Sequence, residues 1–306
     1  MEKKLIIVSG PTAVGKTEWC IDLALKLHSP VISCDSRQIY KEMSVGTAVP
    51  SPEQLSAVRH YFIRTESIHR PYTAGMYEEQ ALALIGRLFR EGHDTLVMAG
   101  GSGFYAEAVC RGLDNMPDAD PQLRKELTDR MRNEGVESLR MDLKRLDPEA
   151  YAAMDIANPQ RVLRAVEVCL LSGRKFSSFK LSEPKKRDFG IEKICLSRPR
   201  DVLYDRIDRR VVRMVEDGLV EEAMGLYPDR DLPALQTVGY RELFDFFDYS
   251  RGTETGEGRR DDDGRREKAP HSLEEAVERI QRNTRHYAKK QLTWWKRDSS
   301  VRWIEL

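Results

Sequence analysis

A chain of 306 residues with 40% hydrophobic residues is long enough for one large or two smaller domains and apolar enough for a packed core, which excludes wholesale disorder. Its 50 Lys and Arg balance 50 Asp and Glu, so net charge names no partner and only local charge carries information. The five cysteines, Cys20, Cys34, Cys110, Cys169 and Cys195, form no C-x-x-C pair, which argues against a zinc site or a disulfide framework and fits a reducing cytosol.

The apolar run in the opening MEKKLIIVSG is too short for a signal peptide or a membrane span, so a cytoplasmic chain with no membrane partner is expected. Leu5–Ser9 is a short β-branched run ending at glycine, as in a buried parallel strand. Thr17–His28 carries helical spacing at Trp19, Leu23 and Leu27, and Val31–Cys34 reads as a second strand. Thr73 suits the N-cap of a helix running to about Arg90 and closed by Gly92. Thr95–Ala99 is a third strand that runs into Gly100-Gly101. Strands alternating with helices predict an α/β fold, a parallel sheet with helices on both faces. Residues 119–182 carry helical spacings and little strand signal, which predicts an all-helical insertion, 119–188, between two parts, 1–118 and 189–306, of a phosphate-loop core. Phe189–Leu196 returns to the sheet. Helices are expected at Arg200–Leu226, Val238–Phe247 and Ser272–Lys296, with an edge strand at Val301–Ile304. Ser250–Pro270 has no aliphatic residue larger than Ala and predicts a disordered surface loop.

Gly10, Pro11, Thr12, Ala13, Val14, Gly15, Lys16 and Thr17 match G-x-x-x-x-G-K-[ST] between a strand and a helix, the setting this motif needs. Glycines let the backbone curl until successive N–H groups point at phosphate oxygens, and the helix N-terminus adds its positive end. Lys16 neutralises the phosphate, and the Thr17 hydroxyl is placed to ligate Mg²⁺. The usual metal-holding Asp of a nucleotide hydrolase is missing after Val97-Met98-Ala99, and no guanine-reading N/T-K-x-D motif is present. An ordinary ATPase or GTPase engine is therefore poorly supported, and the loop suits a diphosphate that departs. Asp35 ends the second strand, at the sheet edge where open α/β sheets bind ligands. It is a general base or an Mg²⁺ ligand, or else a structural cap of the next turn.

GPTAVGKT, DSRQIYKEMSVGTAVP, GGSGFY, NPQRVLRAVEV and TRHYAKKQLTWW, in this order from Gly10 to Trp295, resemble the tRNA dimethylallyltransferase family, in its shorter, bacterial-type form. The charged stretch 250–270 departs from the family pattern, away from every matching block. The resemblance implies a P-loop NTPase-like fold and transfer of the five-carbon group of dimethylallyl pyrophosphate, with Mg²⁺, to N6 of the adenosine 3′-adjacent to the anticodon of tRNA. It implies Asp35 as general base and Thr12 near the scissile oxygen, with the loop from Gly10 to Thr17 on the diphosphate. It implies an arginine over the donor, for which Arg206 is the first choice. Arg210 lies one helical turn further on, and an exposed helix face with Asp205 and Asp208 is the competing reading. For tRNA it implies Asp35, Ser36, Arg37 and Gln38, then Ser102, Arg124, and Gln160, Arg161, Val162, Leu163 and Arg164.

Two stretches are locally basic. Residues 158–187 hold eight Lys and Arg, among them Lys180, against Glu167 and Glu183, and residues 279–297 hold seven and no acid. In a neutral chain these mark either phosphate-backbone surfaces or solvated helix faces. Trp294 and Trp295 are better suited to core packing than to base stacking. Three other readings compete: prenylation of free AMP or ADP, a small-molecule kinase, and an RNA-binding module with a relic loop. The expected partner is the tRNA anticodon stem-loop, and a monomer is expected.

Overall fold

A computed structural model of the chain describes residues 2–179, 183–252 and 268–306. Most of the expected loop at 250–270, and Lys180 of the first basic stretch, lie outside the described residues. The chain divides into two compact units, Met1–Arg111 with Lys186–Leu306, and Gly112–Lys185. Both junctions lie a few residues before those expected from the change in sequence pattern.

The larger unit is an α/β layer structure. In chain order it runs β1 (Lys4–Ser9), α1 (Lys16–Lys26), β2 (Val31–Ser33), α2 (Pro52–Ala57), β3 (His60–Tyr61), α3 (Ala74–Arg90), β4 (Thr95–Ala99) and α4 (Gly103–Arg111). The other unit then supplies α5 (Pro121–Glu134), α6 (Val136–Leu146), α7 (Pro148–Ala153) and α8 (Pro159–Ser172). The chain returns with β5 (Gly190–Ser197), α9 (Arg200–Glu216), α10 (Leu219–Leu226), α11 (Tyr240–Ser250), α12 (Leu273–Trp295) and β6 (Arg302–Glu305). The six described strands form one sheet, ordered β3-β2-β4-β1-β5-β6, and every pairing is parallel. Helices cover both faces, so the fold is P-loop NTPase-like, as expected.

Strand periodicity builds two cores, because successive side chains point to opposite faces. Leu5, Ile7, Ile32, Leu96 and Met98 pack with α3 and α4 residues on one face. Ile6, Val8, Val31, Val97, Ile194 and Leu196 pack with α1 and α9 residues on the other. A third cluster joins Ile39 and Met43 to Tyr240, Phe244 and Ile280 of the later helices. Trp295 is buried in the first core and Trp294 packs against it. All five cysteines are free and buried.

Among the elements that differ from expectation, three do so for identifiable reasons. The buried face of α1 is Cys20, Ile21 and Ala24, while Trp19, Leu23 and Leu27 pack only partly buried against that core. Arg200–Leu226 is two helices, because Gly218 takes a left-handed φ of 98° and ends the first. The short β3 was missed, since two residues cannot show alternation.

The smaller unit closes its own core with Leu127, Leu139, Leu143, Val162, Leu163 and Val166. Inside it the fully buried Glu167 carboxylate accepts from Arg124 Nε (3.0 Å) and from Arg164 Nη1 (2.5 Å). Arg164 also donates to the Pro117 carbonyl. A buried carboxylate persists only when paired in this way.

Candidate active site

The phosphate loop sits where β1 hands the chain to α1. Gly10 has φ +142°, and a Cβ there would lie 2.7 Å from the Leu196 carbonyl oxygen of β5, so no other residue fits this turn. Gly15 takes a left-handed φ of 111° as the N-cap of α1, leaving the first-turn amides of that helix unpaired by a capping side chain. Lys16 Nζ donates to the carbonyls of Gly10 (3.0 Å) and Pro11 (2.8 Å). Enclosure of its ammonium pulls its pKa down from 10.5 to about 8, with the Arg210 charge adding to the effect and Asp35 opposing it.

Two arginines brace the loop from outside: Arg198 Nε donates to the Val14 carbonyl (2.9 Å) and Arg206 Nε to the Ala13 carbonyl (2.8 Å). From α12, Gln291 Oε1 accepts the Thr12 N–H at 2.8 Å, and Gln291 Nε2 donates to the Gly101 carbonyl at 2.9 Å. One amide side chain thus ties the phosphate loop to the turn after β4. It also occupies the Thr12 N–H, so the anion-facing amides are those further along the loop.

Asp35 follows β2 at the same sheet edge. Its Oδ1 accepts the N–H groups of Arg37 (2.9 Å) and Gln38 (3.2 Å), which is the capping role left open by the sequence. Its Oδ2 has no hydrogen bond among the described residues and lies beside Gly101, where a Cβ would come within 3.2 Å of it. One oxygen orients the carboxylate and the other is available for chemistry.

These groups line one crevice of about 390 Å³, together with Thr17, Gln38, Thr47, Ala48, Gln54, Tyr287 and the α9 arginines 206, 209, 210 and 213. Arg210 is half-buried and lines the crevice, so it is not part of an exposed helix face; burial lowers its pKa, with Asp35 opposing and Arg206 adding. Arg209 instead forms an exposed pair with Asp205. A smaller cleft of about 60 Å³ shares Lys16, Asp35 and Gly101 with the crevice and has apolar walls at Cys20, Val31, Ile63 and Ala99. Thr17 lines both spaces, and its hydroxyl makes no hydrogen bond among the described residues. A single hard oxygen beside a phosphate cradle suits Mg²⁺, which takes few protein ligands and completes its shell with phosphate and water.

The remaining expected residues fall in several environments. Arg37 Nη1 donates to the carbonyls of Pro233 and Ala234. Gln38 Nε2 donates to those of Thr47 (3.1 Å) and Ala48 (2.9 Å). The Ser102 hydroxyl accepts the Tyr105 N–H at the start of α4. Gln160 and Arg161 are exposed on α8. Val162 and Leu163, expected to touch tRNA, do not present side chains to any ligand: they are 0% and 2% exposed in the helical core. The five-residue match carried them along, but helical spacing turns those two positions inward. In the second basic stretch, Arg285 pairs with Asp208. Sequence reading missed Gln291, Tyr287 and Arg198 as parts of the site. Gln291 sat inside a matched block, but nothing in spacing alone says that its side chain reaches two other segments.

A glycine-rich loop, a half-buried lysine, convergent arginines and a carboxylate with one free oxygen at the edge of a parallel sheet define a phosphate-loop protein with a cationic crevice suited to a phosphate-bearing ligand. Residues 38–298 match the family model described as IPP transferase, and the chain belongs to that family. It is 47% identical over 300 residues to a tRNA dimethylallyltransferase 2 of Porphyromonas gingivalis, covering 98% of this chain and 93% of that one. It is 42% identical to tRNA dimethylallyltransferase 1 of Bacteroides fragilis, covering 99% and 93%. The crystal structure of a tRNA isopentenylpyrophosphate transferase from Bacillus halodurans is similar, with a TM-score of 0.66 and 36% identity over 99% of this chain and 90% of that chain. A eukaryotic dimethylallyltransferase acting on tRNA, 22% identical over 99% of this chain and 74% of that one, shares the fold with a TM-score of 0.75.

Proposed function

We propose that this chain transfers the dimethylallyl group of dimethylallyl pyrophosphate to N6 of the adenosine 3′-adjacent to the anticodon of tRNA, releasing pyrophosphate. The observation that carries the reading is the free Oδ2 of Asp35 in the same crevice as the phosphate loop.

An exocyclic aromatic amine is a weak nucleophile because its lone pair is delocalised into the ring. Two aids are needed, a base for its proton and stabilisation of the leaving group. Asp35 Oδ2 accepts the N6 proton while Oδ1 stays fixed by its two backbone donors. The N6 lone pair forms the new bond to C1 of the donor as the C1–O bond breaks and its electrons leave with the diphosphate. Amides of the loop, Lys16, Arg206 and Arg210 meet the charge that develops there, and Thr12 stands near the scissile oxygen. Mg²⁺ held by Thr17 would add positive charge at the leaving group. The apolar walls of the smaller cleft suit a five-carbon chain.

The target base leaves its stack, at a cost of a few kcal/mol, and Ser36, Arg37, Gln38 and Ser102 meet it or its neighbours. In the helical unit, Gln160, Arg161, Arg124 and Arg164 contact tRNA, the two last with whatever capacity Glu167 leaves. The protein works as a monomer in the cytoplasm; among the described residues no helix is long and apolar enough to cross a membrane.

The test is to incubate the protein with labelled dimethylallyl pyrophosphate and unmodified tRNA, AMP or ATP. Label passing to tRNA alone is expected. Label passing to AMP selects free-adenylate prenylation, and transfer of phosphate from labelled ATP to an added small-molecule acceptor, without prenyl transfer, selects a kinase.

A further inference from the structure

Outside the reacting groups, one half-buried carboxylate has an unusual set of partners. Glu222, on α10, accepts four hydrogen bonds. Its Oε2 takes the backbone N–H groups of Ser44 (2.8 Å) and Val45 (2.9 Å). Its Oε1 takes the Gly46 N–H (2.9 Å) and the Tyr240 hydroxyl (2.6 Å) from α11. Three successive amides converging on one carboxylate fix that stretch of backbone as a rigid nest. Gly46 is what lets them approach: a Cβ there would stand 2.6 Å from the Tyr240 ring and hydroxyl.

The next two residues, Thr47 and Ala48, form part of the wall of the crevice that the α9 arginines also line. They are also held from inside by Gln38, which donates to both of their carbonyls. The Thr47 hydroxyl closes the loop on itself by donating to the Met43 carbonyl (2.8 Å). The wall is thus gripped at two points, one in the site and one behind it. The grip behind it comes from helices that contribute no residue to the reacting centre.

We propose that Glu222, with Tyr240, is a positioning residue that sets the Thr47–Ala48 wall and thereby the affinity of the site for the diphosphate of the donor. This rests on the proposed transferase reading for the identity of the donor, but the loop and its anion affinity are testable without it. The mechanism is loss of preorganisation. With the clamp weakened the wall samples open positions, and the ligand must order it on binding. Donor KM and pyrophosphate Kd therefore rise, while kcat at saturating donor changes little.

Glu222→Gln keeps the volume and turns one acceptor oxygen into a donor that faces amide N–H. Tyr240→Phe removes one hydroxyl only and serves where the first variant folds poorly. Three readouts are taken: amide exchange of residues 44–46, the Kd of inorganic pyrophosphate, and KM and kcat with dimethylallyl pyrophosphate and tRNA. For Glu222→Gln the expected result is exchange faster by about tenfold at residues 44–46, with β1 and β4 unchanged. Pyrophosphate Kd and donor KM rise about fivefold, and kcat stays within about twofold. Tyr240→Phe shifts the same quantities the same way by less. Unchanged exchange, or faster exchange with unchanged Kd and KM, overturns the proposal. So does a fall in Vmax in proportion to folded protein at constant KM, which is a purely structural role. If the unaltered protein transfers no dimethylallyl group, the transferase reading fails, while exchange and pyrophosphate affinity still decide the role of Glu222.

Discussion

Lys16 gives the sharpest quantitative expectation. Its ammonium is enclosed by the phosphate loop and faces Arg210, and its pKa falls from 10.5 to about 8. At about 1.4 kcal/mol per unit, the protonated form carries a burden of about 3 kcal/mol in the free protein. For a base depressed on folding, that burden is fully present below pH 8 and fades as pH rises toward 10.5. A bound diphosphate reverses the effect by supplying opposite charge, so binding draws the pKa back up. Above pH 8 binding must therefore take up a proton: little at pH 7, and about 0.9 at pH 9, with affinity falling about tenfold between pH 8 and pH 9.5. The terminal phosphate of the donor has a pKa of about 6 in phosphomonoesters, and Cys20, pushed up to about 12 by burial, does not titrate in this window. Titration calorimetry of a non-hydrolysable donor analogue, in buffers of different ionisation enthalpy, reads the proton count directly. Absence of uptake at pH 9 would refute the assignment of Lys16 as the enclosed counter-charge of the site. Lys16→Met abolishes this binding, yet its free form melts at a higher temperature than the unaltered protein at pH 7, because the buried charge is gone.

Three further outcomes follow from single contacts. Gln291→Ala leaves the Thr12 N–H and the Gly101 carbonyl without their partner and lowers stability by about 1–3 kcal/mol, seen as a lower melting temperature, with a loss of kcat because the loop and the turn beside Asp35 separate. Gly101→Ala places a methyl 2.7 Å from Gln291 Nε2 and 3.2 Å from Asp35 Oδ2; steady-state assays are expected to show kcat reduced by about tenfold or more with tRNA affinity kept. Glu167→Ala strips Arg124 and Arg164 of their shared buried partner, a loss of about 3–5 kcal/mol. Limited proteolysis is expected to open the helical unit first, while pyrophosphate affinity of the larger unit is preserved.

Much of this molecule is written locally in its sequence. The phosphate loop is legible because its chemistry depends on adjacent residues, and the sheet follows from short apolar runs between helices. Asp35 was legible as a sheet-edge carboxylate, but only the structure divides its two oxygens between cap and free acceptor. What stayed hidden depends on distant pairings. Gln291 lies 279 residues from Thr12, and Glu222 grips a loop 176–178 residues away; no periodicity encodes such contacts. The sequence match at Val162 and Leu163 overreached for the opposite reason, since a motif is contiguous whereas a helix turns its residues to different faces. Arg124 and Arg164 likewise matched tRNA-contacting positions, and only the structure shows that both donate to the buried Glu167 carboxylate.

The central claim is that the free oxygen of Asp35 takes the N6 proton while the loop holds the departing diphosphate. Its most direct measurement is single-turnover transfer from dimethylallyl pyrophosphate to unmodified tRNA, comparing the unaltered protein with Asp35→Ala and locating the added group by nuclease digestion and mass spectrometry. The prediction is one C5H8 unit on the adenosine next to the anticodon with the unaltered protein, and a rate lower by about a hundredfold or more for Asp35→Ala at nearly unchanged tRNA affinity. Transfer at an undiminished rate by the variant, or prenylation at a different nucleotide, would contradict the account.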